Sequence, residues 1–161
     1  MGREEAPPFR LMMAVVARSM PIRLPVVLEL LSDRFGICRL EAAAPVPDWV
    51  PRRPLTSITR TDDELSIVCD ERSVPEGVAC ERGWRCAKVQ GPLAFTLTGV
   101  VSSLTVPLAA AGIGVFVIST YDTDYLLVKD DQLERATAAW TTAGHTIEMH
   151  VGAEHARQLE P

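Results

Sequence analysis

Apolar and polar positions alternate in short bursts along this chain, and two stretches in its second half switch to a helical rhythm. The runs Gly36-Ile37-Cys38-Arg39-Leu40 and Trp84-Arg85-Cys86-Ala87-Lys88-Val89 read as strands. The eleven residues from Ile58 to Val68 lie over those from Ile118 to Val128 without a gap. Each copy has a β-rich arm, an acidic polar turn and a second β-rich arm, the pattern of an antiparallel hairpin. Between Trp84–Val89 and the second hairpin the rhythm predicts a helix, starting near Thr98-Gly99 and ending at Gly112, where glycine supplies a left-handed C′ residue. After that hairpin, Asp131-Gln132-Leu133-Glu134 has the form of a capping box. Leu133, Ala136, Trp140 and Ala143 then mark one apolar helix face, Gly144 ends it, and Thr146-Ile147-Glu148-Met149 reads as a last strand. The order is β-α-β-β-α-β.

The first half follows the same plan with its helices cut short. Pro45, Pro47, Pro51 and Pro54 leave the first connection room for a turn around Asp48-Trp49-Val50, and residues 73–78 are too few for more than one helical turn. The expected fold class is therefore α+β: two ferredoxin-like units, the first with shortened helices. The expected boundaries are a peripheral extension over residues 1–32, a reduced unit over 33–83, a complete unit over 84–150 and a tail over 151–161. The apolar run Leu11–Ala17 is too short and too poorly flanked for a secretory leader. Residues 89–121 carry no charge, yet Pro92, Pro107, Gly99, Gly112 and Gly114 interrupt them, so a helix followed by a buried strand explains the stretch better than a membrane span.

A length of 161 residues suits one domain or two small ones, and 47% hydrophobic residues suffice for a real core. The 16 Lys and Arg against 21 Asp and Glu give a net charge of −5, which repels phosphate backbones and anionic membranes; neither nucleic acid nor membrane is an expected partner. Cys38, Cys69, Cys80 and Cys86 lack C-x-x-C spacing and read as reduced, mostly buried thiols of a cytoplasmic protein, with disulfides the alternative that no spacing supports. His145, His150 and His155 recur every fifth residue, a spacing that suits neither a helix face nor a strand face, and read as surface residues, not metal ligands. Gly112-Ile113-Gly114 follows a helix where a dinucleotide loop would precede one. Asp122-x-Asp124 has no phosphate-cradling loop beside it, and no nucleophile motif occurs. No cofactor, metal or catalysis is expected.

Leu97-Thr98-Gly99-Val100, the run Pro107–Ile113 and above all Ser119-Thr120-Tyr121-Asp122-Thr123-Asp124-Tyr125 resemble ACT domains. The similarity is to the tandem group related to aspartokinase regulatory regions and the cytosolic arginine sensors, and it covers about Phe35 to Glu148. It implies a ferredoxin-like fold, a small ligand between two ACT units, and regulation in place of chemistry. Since no catalytic region precedes the ACT pair, the regulated molecule is expected to be separate.

An amino acid needs N–H donors for its carboxylate and an anion for its ammonium. Thr98, Gly99 and Val100 at a helix origin suit the first, because unpaired N–H groups and the dipole favour an anion and glycine permits close approach. Asp122 and Asp124 suit the second. The resemblance marks the helix start and this strand end as ligand-facing; Ser119 and Thr120 would add contacts, and by symmetry Thr59 and Asp62 from the first unit. Taken one at a time, Thr98 also fits an N-cap and the aspartates fit a hairpin turn. The expected partners are a free amino acid and either a second copy or a regulated protein. The competing expectation is a ligand-free ferredoxin-like interaction module.

Overall fold

The computed structural model describes residues 24–149. Among the described residues seven strands form one sheet: β1 (Val27–Leu40), β2 (Ser57–Arg60), β3 (Leu65–Asp70), β4 (Cys80–Val89), β5 (Phe116–Ser119), β6 (Asp124–Lys129) and β7 (Thr146–Met149). Among the same residues two helices, α1 (Val100–Ala110) and α2 (Leu133–Thr142), precede β5 and β7. The strand order is β2-β3-β1-β4-β6-β5, with β7 beside β1. Both expected hairpins are present, and the fold is α+β with a ferredoxin-like β4-α1-β5-β6-α2-β7 unit. In the first half, short turns replace the helices: 3₁₀ geometry over Glu71–Ser73 and a single turn at Asp48-Trp49.

The two units are fused, not strung end to end. β4 is the fourth strand of the reduced unit, antiparallel to β1, and the first strand of the complete one, antiparallel to β6. β1 is long enough at 14 residues to share one side between two partners. Its first half pairs in parallel with β7, from Val27↔Thr146 to Leu30↔Met149, and its second half pairs antiparallel with β3, from Phe35↔Asp70 to Leu40↔Leu65. This corrects the peripheral placement of residues up to 32: residues 27–32 lie inside the sheet, because Leu28, Leu30 and Leu31 have an apolar layer on each face to enter. The run Leu11–Ala17 lies outside the described residues.

Three apolar clusters hold the sheet. Leu28, Ala87, Leu126 and Val128 meet Leu104 and Leu108 of α1 and Ala136 and Trp140 of α2. Trp140 is fully buried and its Nε1–H donates to Leu104 O at 3.0 Å, tying the helices together. On the opposite face Leu31, Phe35, Val68, Cys86 and Leu127 pack with Phe116 and Ile118. There the edge strands β2 and β5 approach each other around a cavity of about 210 Å³. The third cluster, Cys38, Leu65, Ile67, Cys69 and Val74, is covered by Trp49 and Val50 from the proline-rich connection.

Three local expectations change. Residues Asp130–Gln132 form a 3₁₀ turn and α2 begins at Leu133 with no side-chain cap, so the capping box does not form: Gln132, at φ −102° and ψ −8°, is already wound when the helix starts. His145 is not a surface residue but 5% exposed; its Nδ1 accepts from Val26 N–H at 3.3 Å and its Nε2 lies 3.1 Å from Ser103 O. His150 and His155 lie outside the described residues. The two hairpins also superpose one residue away from the gapless overlay. Arg60↔Leu65 closes the first and Ser119↔Asp124 the second, so Arg60 corresponds to Ser119 and not to Thr120. A shift of one flips side chains between faces: Ile58 is exposed while Ile118 packs in a core.

Candidate functional site

A cavity of about 570 Å³ opens where three segments of the second unit meet: the connection after β4, the first turn of α1 and the β5–β6 turn. The helix origin is left bare by its own sequence. Gly99 occupies the cap position at φ 88°, a left-handed conformation suited to glycine, with no side-chain cap and no acidic residue in the first turn. The first-turn N–H groups of Val100, Val101 and Ser102 have no intrahelical acceptor, so this end carries partial positive charge, and all three residues line the cavity.

The opposite wall is a turn held from within and from behind. Thr120 N–H donates to Thr123 O at 2.9 Å, and Thr123 N–H donates back to Thr120 Oγ1 at 3.3 Å. The buried Thr123 hydroxyl donates to Val89 O, while Leu93 N–H donates to Asp122 O at 2.8 Å, binding the turn to the connection behind it. Gly91 is required there, since a Cβ would lie 2.8 Å from Asp122 O. Asp124 accepts from the Ser119 hydroxyl. The Asp122 carboxylate is exposed and has no hydrogen-bond or ion-pair partner among the described residues. Burial raises the Tyr125 phenol above its ordinary value, with Asp122 among the lesser causes. One wall therefore offers N–H donors and the other a carboxylate, a complementary pair for a zwitterion.

Of the residues singled out in the sequence, Gly99, Val100, Ser119, Thr120, Asp122 and Asp124 line this cavity together. Thr98 is exposed just before the helix and is not part of the lining; Gly99 takes the cap position that Thr98 was expected to share. Thr59 lines the small cavity between the edge strands, with Ser57, Ser66 and Ser119. Asp62 is exposed in the first hairpin turn. The lining also includes residues that the sequence pattern does not single out. Phe95 and Tyr121, 76% and 79% exposed, make an edge-on ring contact at 5.0 Å, beside the exposed Leu97. A clue lies in their position: Phe95 and Leu97 fall before the helix start, in a stretch with too many breakers to be buried throughout. Among the described residues no cluster of His, Cys, Asp and Glu is placed to hold a metal ion, and no helix is long and apolar enough to cross a membrane.

A family model for the ACT domain matches residues 79–140, covering β4 to most of α2, and a model for an N-terminal domain matches residues 33–77. Residues 79–140 of the chain are thus an ACT domain. The chain is 44% identical to an Agrobacterium tumefaciens protein of known crystal structure, with a TM-score of 0.75, covering 79% of this chain and 95% of that one. It is 31% identical to the mouse cytosolic arginine sensor for mTORC1 subunit 1 over 88 residues, 50% of this chain and 27% of the sensor. The chain thus matches about a quarter of the length of that relative. One chain in the crystal structure of aspartokinase alpha and beta subunits shares the fold at 12% identity and a TM-score of 0.54, covering 74% of this chain and 98% of that one.

Proposed function

We propose that this chain is a regulatory protein that binds a free amino acid in the cavity between the start of α1 and the β5–β6 turn, and that it catalyses no reaction. The observation that carries this reading is the facing of a bare helix origin and an unpartnered Asp122 across about 570 Å³, a volume within the ordinary range for small-molecule sites. The ligand carboxylate takes the first-turn N–H groups, and its ammonium takes Asp122. The cavity lining comes entirely from the second unit, between Leu93 and Asp124. The ACT unit that completes the site is accordingly proposed to be that of a second copy, set against the exposed Phe95, Leu97 and Tyr121. The arginine named for the mouse relative makes that amino acid the first to try.

The test is a thermal-shift panel of the common amino acids. A ligand at a hundredfold excess over its Kd adds about 2.7 kcal/mol to the native state, which raises Tm by roughly 5–10 °C for a chain of this size. Asp122→Ala removes that rise and leaves the melting temperature without ligand nearly unchanged, since the carboxylate it deletes has no partner. The exposed Phe95 and Tyr121 also favour a second reading, a ligand-free association surface. That reading requires a flat panel and the same mass in light scattering with and without amino acids.

A further inference from the structure

Away from the cavity, three of the four cysteines meet in one cluster. Cys38 on β1, Cys69 on β3 and Cys80 at the start of β4 share an apolar layer, and Cys38 Sγ lies 3.0 Å from Cys80 Sγ. The backbone explains the approach. Cys38 and Cys80 are directly opposite in the antiparallel β1–β4 register. The adjoining Arg39 N–H donates to Ala79 O at 2.9 Å, which makes 39/79 a hydrogen-bonded pair and 38/80 a non-hydrogen-bonded one. In such pairs the Cα atoms are about 4.5 Å apart and the side chains closest, inside the span of roughly 4.4–6.8 Å that a disulfide takes.

The other thiols are placed differently. Cys69 is opposite Gly36, two residues from Cys38, so Cys38 and Cys69 are diagonal neighbours. Diagonal Cα atoms are about 7–8 Å apart, too far for a disulfide without backbone movement. Cys86 belongs to the cluster on the opposite face of the sheet. Gly36 makes room for the Cys80 sulfur: a Cβ there would lie 2.6 Å from it. Access is also divided. Cys38 and Cys69 are 1% and 0% exposed, whereas Cys80 is half-buried and open to a reagent.

We infer that Cys38 and Cys80 are an oxidisable pair, a modification site at which a small-molecule disulfide links β1 to β4. Cys80 gives its proton to solvent and the thiolate attacks one sulfur of the small disulfide, forming a mixed disulfide and releasing a small thiolate that takes up a proton. Cys38 then loses its proton and attacks Cys80 Sγ; the protein S–S bond forms and the second small thiol leaves. Two protein thiols are oxidised by two electrons, and one small disulfide is reduced to two thiols. Burial pushes the Cys80 thiol up to about 12, and the side-chain hydrogen bond with Cys69, followed by burial, raises Cys38 above the usual thiol range; Arg82 opposes both shifts, and the exchange quickens as pH rises. The link closes a loop that contains the first hairpin, between residues 42 apart in sequence.

The experiment treats the full, reduced chain with oxidised glutathione at mildly alkaline pH, then denatures, alkylates, weighs and digests it. The expected product has lost two hydrogens, yields one linked peptide pair containing Cys38 and Cys80, carries alkylated Cys69 and Cys86, and returns to four thiols with dithiothreitol. Its Tm is raised by roughly 5–10 °C. Cys69→Ser still forms the link; Cys80→Ser forms no internal disulfide. Four free thiols in the treated native chain, glutathione retained on Cys80, a bond to Cys69 or a bond between two chains would each overturn the inference, as would loss of two hydrogens from Cys80→Ser.

Discussion

The turn at residues 61–64 and the turn at residues 120–123 are built alike, each four residues between the last paired positions of a hairpin, yet one is filled and the other is open. In both, a threonine opens the turn: Thr61 N–H donates to Glu64 O at 2.9 Å, and Thr120 N–H donates to Thr123 O at the same distance. They differ in the connection that leaves the neighbouring strand. After β1 the chain turns at once, and the Arg60 guanidinium donates to Ala42 O and Ala44 O, lying across the space beside the hairpin. Arg39 takes up the acidic turn, with its Nε 3.1 Å from Glu64 and its Nη2 donating to Asp63 O. After β4 the chain runs on through residues 90–99 to a helix. Ser119, the counterpart of Arg60, is too short to fill the gap, and Asp122 keeps no partner among the described residues. The Asp62 and Asp63 carboxylates are exposed and without a partner among the described residues, as Asp122 is, but the connection beside them holds no helix, whereas Asp122 lines a cavity with a helix origin. A helix in the connection makes the difference.

The largest test of this contrast is Trp140→Ala. It empties the space under α1 and α2 and deletes the bond to Leu104 O, so urea unfolding should show a loss of about 3–5 kcal/mol, and the ligand response should go with it. Gly99→Ala is next: forcing an L-residue to φ 88° costs about 1–2 kcal/mol, and the displaced first turn should weaken ligand stabilisation in a titration followed by Tm. Arg60→Met removes two side-chain bonds to carbonyls from the filled hairpin, at about 1 kcal/mol in urea, and leaves the response to amino acids intact. Loss of that response in Arg60→Met would show that the first hairpin is not the closed one.

The smallest effect is confined to acid. Arg72 hydrogen-bonds Asp70 and holds its carboxyl below the ordinary carboxylate value. The stability this contributes is complete above a pH of about 4 and is lost as pH falls through the depressed value. Urea midpoints measured downward from pH about 6 should therefore fall more steeply below pH about 4 in the wild type than in Asp70→Asn.

Local patterns read well from the sequence because local physics makes them: both hairpins, the helix ending at left-handed Gly112, and β7 from Thr146 to Met149. What was hidden depends on distant partners. Residues 27–32 carry four apolar side chains interrupted by Glu29, and nothing local says that β7 and β4 will flank them. The hairpin overlay slipped by one because apolar arms tolerate it in sequence, while the ladder does not. Within the cavity, Asp122 and Gly99 were legible from residue type and position. Phe95 and Tyr121 were not, because their contact joins a connection to a turn 26 positions away.

The most direct measurement is a titration of the ¹⁵N-labelled chain with the amino acid that stabilises it most, followed by amide NMR. The expected result is that the signals of Gly99–Ser102 and Ser119–Asp124 move together and saturate, while those of Thr61–Glu64 stay in place. Saturating shifts at Thr61–Glu64, or none at the start of α1, would contradict the proposed site.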